Sequence, residues 1–115
     1  MIAADADHVY AFIIDSPYGQ QNVQAYAKDG TLLWTSQDRI SGAYDNARYL
    51  LTQDMLIIAS PDDNTITAVS TSDGTTTWRW ATDAIVSHGY SLAADAEHLY
   101  VGTAYEVSCL RLKHV

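Results

Sequence analysis

The residues of this 115-residue chain with the means to do chemistry are four histidines, one cysteine and a few clustered acids. A zinc site needs three or four nitrogen, sulfur or carboxylate ligands held together. His88 and His114 have no neighbour at ligand spacing. His8 and His98 lie in matching octapeptides, which makes them equivalent turn positions and not a convergent pair. Asp62-Asp63-Asn64 is acidic and tight but lacks the spaced oxygens and terminal Glu of a calcium loop. Asp5, Asp7, Asp95 and Glu97 recur with the octapeptides and read as turn formers. Cys109 is the single cysteine, so it has no intrachain partner and leaves the redox compartment unconstrained. It is expected to be a small buried hydrophobe, not a nucleophile. The chain has no phosphate-cradling glycine loop and no nucleophile elbow. No catalytic, cofactor-binding or metal residue is assigned, and neither zinc binding nor hydrolase activity is expected.

The elements that carry these residues form an internal repeat. Ala3-Ala4-Asp5-Ala6-Asp7-His8-Val9-Tyr10 returns as Ala93-Ala94-Asp95-Ala96-Glu97-His98-Leu99-Tyr100, and a diverged middle copy reads Leu51 to Ile58. Asp29-Gly30-Thr31-Leu32-Leu33-Trp34 returns as Asp73-Gly74-Thr75-Thr76-Thr77-Trp78. Asn22 to Tyr26 matches Thr65 to Val69 and Glu106 to Leu110. Three motifs in constant order give repeats of approximately 1–44, 45–89 and 90–115, the last without a fourth strand. Within each copy, short alternating segments are separated by turns. The Asp-Gly pairs predict hairpins, with glycine supplying the positive φ. Strands are expected at Thr31 to Ser36, Thr75 to Trp80, Tyr90 to Ala93, Leu99 to Thr103 and Val107 to Leu112. Variable hairpins fall at Ser16 to Gln21, Pro61 to Asn64 and Ala104-Tyr105.

Composition agrees. Twelve of the 14 acids are Asp, and the chain holds 11 Thr, 8 Tyr and 3 Trp but only 2 Lys. Asp favours turns, while Thr, Tyr and Trp favour strands. The expected class is all-β, with about 2.6 four-stranded antiparallel β-propeller blades, because about four strands in 40–45 residues suit one blade. A net charge of −8 argues against nucleic acid and anionic membranes as partners. No apolar run is long enough to span a bilayer, and the first residues do not resemble a signal peptide.

The stretch Ala68-Val69-Ser70-Thr71-Ser72-Asp73-Gly74-Thr75-Thr76-Thr77-Trp78, with its shorter counterpart from Ala25 to Trp34, resembles the tryptophan-docking repeat of quinoprotein-type propellers, the PQQ-like repeat. The Gly-to-Trp spacing of Gly30/Trp34 and Gly74/Trp78 is kept, and Trp78-Arg79-Trp80 is similar to the usual strand ending. The Asp usual two residues after the Ala is replaced by Ala27 and Ser70. WD-type repeats fit less well, since no Trp-Asp pair closes a strand. The resemblance implies that Trp34 and Trp78 are buried dowels packed against small positions of the next blade. Ala25, Ala68 and Cys109 share one register suited to such a slot. Trp80 is in phase with Trp78 and is expected on the same face.

Closed propellers need about 4–8 blades. The chain is therefore expected to be part of a longer chain whose remaining blades cover it, or else to assemble with other copies of itself. Strand Val107 to Leu112 is expected to offer an unpaired edge. The function the resemblance implies is a non-catalytic scaffold that binds a protein or ligand, without a cofactor. Its alternatives are a fragment of a PQQ-dependent dehydrogenase and a self-assembling lectin-like propeller. A periplasmic or extracellular location is implied by the resemblance alone.

Overall fold

In the computed structural model, residues 2–13, 20–41, 48–60, 65–81, 91–95, 97–102 and 107–111 are described. They form only strands and turns, in three antiparallel sheets plus one two-stranded ribbon. Sheet one runs β1 (Ile2–Ala4), β2 (His8–Phe12), β4 (Val23–Ala27), β5 (Leu32–Thr35). Sheet two runs β7 (Arg48–Leu51), β8 (Met55–Ser60), β9 (Thr65–Ser70), β10 (Thr76–Ala81). Sheet three has β11 (Ser91–Ala94), β12 (His98–Gly102) and β13 (Val107–Arg111). The ribbon pairs β3 (Gln20–Gln21) with β6 (Ile40–Ser41). The repeat pattern does not announce it, because two-residue strands carry no periodicity. Most of the hairpin tips at Ser16 to Gln21, all of Pro61 to Asn64 and Ala104-Tyr105 lie outside the described residues, as do His88 and His114.

Each sheet begins with the same turn. Asp5 N–H donates to His8 O at 3.0 Å and Asp95 N–H to His98 O at 3.0 Å; Thr52 N–H donates to Met55 O at 2.9 Å. The three-residue step is closed by a side-chain oxygen, Asp5 Oδ1 or Asp95 Oδ1 accepting from the His8 or His98 N–H, and Thr52 Oγ1 accepting from Met55 N–H. Asp and Thr serve alike because both place an oxygen near their own backbone. This geometry corrects the middle copy: Thr52 corresponds to Asp5, so the matching segment is Leu50 to Ile57, one residue earlier than sequence similarity suggests.

The Asp-Gly turns form as expected. Gly30 has φ +93° and Gly74 has φ +79°. Ala27 N–H donates to Thr31 O and Ser70 N–H to Thr75 O, each at 2.8 Å. The strand that follows then bulges. Ala25 pairs with Trp34 but Tyr26 with Leu32; Ala68 pairs with Trp78 but Val69 with Thr76. One residue, Leu33 or Thr77, is thus inserted just before each tryptophan. A bulge re-aims the side chain beside it, so the indole leans toward the next sheet.

The sheets stack by their faces. On sheet one, Ala3, Tyr10, Ala25 and Trp34 form one row across four strands. They bury against Leu51, Leu56, Ile58 and Val69 of sheet two. The other face of sheet two carries Leu50, Ile57, Ala68 and Trp78, again one row, which packs with Leu92, Leu99, Val101 and Leu110 of sheet three. Sheet two is therefore covered on both sides, and every residue of β8 is buried. Its continuous apolar run suits a strand with no solvent face.

Candidate binding site

Trp34 shows how an indole is seated between sheets. It is 9% exposed. Its Nε1–H donates to the Thr71 carbonyl at 2.9 Å, across 37 residues of sequence. The ring lies over Gly74, where an added Cβ would come within 2.5 Å of Trp34 Cε3. Tyr10 stands on the other side, with ring centroids 5.9 Å apart. Glycine is required at position 74 twice over, for its positive φ and for the indole.

Trp78 occupies the equivalent row position, opposite Ala68, and Trp80 shares its face. The burial of Trp78 differs from expectation. Both are half-buried, so Trp78 is not covered as Trp34 is. The Nε1 of Trp78 is nonetheless shielded from solvent and has no hydrogen-bond partner among the described residues. A buried unpaired donor costs about 1–3 kcal/mol. Beside it opens a cleft of about 310 Å³ lined by Trp78, Arg79, Trp80, Leu110 and Arg111. The Arg79 guanidinium is engaged with Thr67 Oγ1 at 3.3 Å and the Arg39 carbonyl at 3.4 Å. The cleft thus offers indole and Leu110 surface beside two arginines.

Ala25, Ala68 and Cys109 lie at matching strand pairings but differ in burial. Ala25 and Ala68 are fully buried, while Cys109 is exposed. Ala25 faces Tyr10, Ala68 faces Ile57 and Cys109 faces Tyr100 in the same strand pairing. The first two are also covered by a tryptophan on a fourth strand. Among the described residues no strand follows β13 in sheet three and none covers Cys109, which is exposed. The expectation of a buried thiol is corrected for that reason.

The candidate acids serve the turns. Asp5 Oδ1 accepts from the N–H groups of Asp7 and His8 at 2.8 and 2.7 Å, and Oδ2 accepts from the Tyr10 hydroxyl at 2.8 Å. Burial by itself would raise the Asp5 pKa, but the Tyr10 hydroxyl and these backbone donors outweigh it and hold the carboxyl at about 2. Asp95 repeats the arrangement with Glu97 N–H, Tyr100 hydroxyl and His98 N–H, and is likewise lowered to about 2. Burial and the Asp5 carboxylate push the Tyr10 hydroxyl well above the ordinary tyrosine value. Both carboxylates are thus committed to their own turns. His8 and His98 begin β2 and β12 on different sheets and are not brought together. Among the described residues, no group of three or more His, Cys, Asp and Glu is placed to hold a metal ion. Among the described residues no helix is long and apolar enough to cross a membrane.

No protein-family model and no curated protein matches the chain.

Proposed function

We propose that the protein is a binding scaffold of the PQQ-like β-propeller type, its three sheets being successive blades, and that the Trp78 cleft is its recognition seat. The observation that carries this is the cleft of about 310 Å³ beside half-buried Trp78, whose shielded Nε1 has no hydrogen-bond partner among the described residues. The Trp34 seat supports the choice of ligand. There the same indole group takes a backbone carbonyl from a glycine-bearing turn, Ser70 to Gly74. The Trp78 seat accordingly takes a peptide turn that presents a carbonyl to Nε1 and a glycine to the ring. No bond is made or broken; the role is recognition by shape and one directed hydrogen bond.

The test is a titration with a cyclic peptide holding the sequence Thr-Ser-Asp-Gly-Thr, followed by NMR of the indole N–H signals. The expected result is a saturable shift of the Trp78 N–H resonance, absent when Trp78→Phe is titrated. A Trp78 signal that does not move at millimolar peptide would sink the reading.

A further inference from the structure

We infer that a second copy of this chain docks head-to-tail, the exposed face of sheet three in one copy against the exposed face of sheet one in the next. The two sheet junctions already inside the molecule bring equivalent rows together, although Trp78 is covered less than Trp34. In each, a forward row packs on a rear row. Ala3, Tyr10, Ala25 and Trp34 cover Leu51, Leu56 and Val69; Leu50, Ile57, Ala68 and Trp78 cover Leu99 and Leu110.

The next forward row is Ala93, Tyr100 and Cys109, joined by the same pairings. It is uncovered: all three are exposed, and Val107, two residues before Cys109 on the same face, is 75% exposed. The unmatched rear row is Ala4, Val9, Tyr26 and Leu32 of sheet one. Ala4 and Leu32 are exposed, and Val9 and Tyr26 are half-buried. This row has the residue positions of Leu51, Leu56, Val69 and Thr76, and its chemistry is as apolar. One molecule thus carries one rear face and, but for the tryptophan of a fourth strand, one forward face of a junction it already forms twice. The edge of β13, with no neighbour among the described residues, adjoins the forward face and adds backbone groups able to pair.

Such a contact uses two different patches, so it is heterologous. It closes into a ring where the rotation per copy allows, and extends as a filament otherwise. Joining copies buries Tyr100 as Tyr10 is buried, and removes Cys109 from solvent.

The experiment uses two variants on exposed side chains. Cys109→Arg blocks the forward face and leaves the rear face intact; Leu32→Arg does the reverse. Sedimentation and light scattering should show wild type associating with concentration, in masses that are multiples of 12.6 kDa. Each variant alone should stay monomeric. An equimolar mixture should form a 1:1 dimer that grows no further, since its two outer faces are both blocked. Circular dichroism melts check that each variant is folded. For the wild type alone, the rate of Cys109 alkylation should fall at least tenfold between dilute and millimolar protein. Wild type that is monomeric at millimolar concentration with constant thiol reactivity overturns the inference. So does an oligomer that persists in either single variant.

Discussion

Gly74 and Trp34 are in mutual contact through a space that no other residue type leaves open: a Cβ at 74 would lie 2.5 Å from the indole. Gly30 closes the corresponding, one residue shorter turn of the preceding sheet, and a Cβ there meets nothing within 4 Å. The pair separates backbone strain from packing. Gly30→Ala carries only the positive-φ penalty, about 1–2 kcal/mol. Gly74→Ala adds displacement of the ring, about 1–3 kcal/mol more. Urea denaturation of the two variants should show that order. Equal losses would mean that the indole is not seated as described.

The two indoles should also respond differently to the loss of one N–H. Trp34→Phe leaves the Thr71 carbonyl without its partner in a buried place. Trp78→Phe removes a donor that is already unpaired. Trp34→Phe is therefore expected to cost about 1–3 kcal/mol more than Trp78→Phe. Equilibrium unfolding of both, with far-ultraviolet and fluorescence detection, checks the difference. Truncation to alanine is harsher: Trp34→Ala is expected to lose about 3–5 kcal/mol.

Acid should weaken the fold through Asp5 and Asp95. Both are lowered in the folded state from 3.8 to about 2. The sign follows from linkage: a depressed folded value means that the unfolded chain binds the proton more tightly. The contribution is present above the ordinary carboxylate value and fades as pH falls from 3.8 toward 2. A pH series of urea midpoints should drop across that window in wild type. In the Asp5→Asn/Asp95→Asn variant the drop should be shallower, while midpoints above the window are lower throughout. An identical slope in both would refute the assignment.

Tyr10 and Tyr100 offer a further check. Both donate to an aspartate at 2.8 Å, but Tyr10 is fully buried and Tyr100 is 37% exposed. Tyr10→Phe should destabilise by about 1–2 kcal/mol, because its carboxylate partner is part-buried. Tyr100→Phe should cost distinctly less in dilute monomer. Comparable losses would show that sheet three is covered as sheet one is.

The class of fold and the turns were legible in the chain itself. Asp-Gly at 29–30 and 73–74 admits few backbone paths other than a turn with positive φ, and Thr, Tyr and Trp around it suit strands. The octapeptides marked the turns before β2 and β12 because Asp closes them through its own side chain, a local act that sequence spacing records. Even the shared register of Ala25, Ala68 and Cys109 could be read from the repeat. Burial could not. Cys109 is exposed and Ala68 buried at equivalent positions because burial depends on what lies over the sheet, and the local sequence is silent on that. The bulges at Leu33 and Thr77, the one-residue shift of the middle copy to Leu50, and the unmatched N–H of Trp78 against the satisfied N–H of Trp34 are of the same kind. Each arises from contacts between residues tens of positions apart, which only the packed sheets bring within a few ångströms.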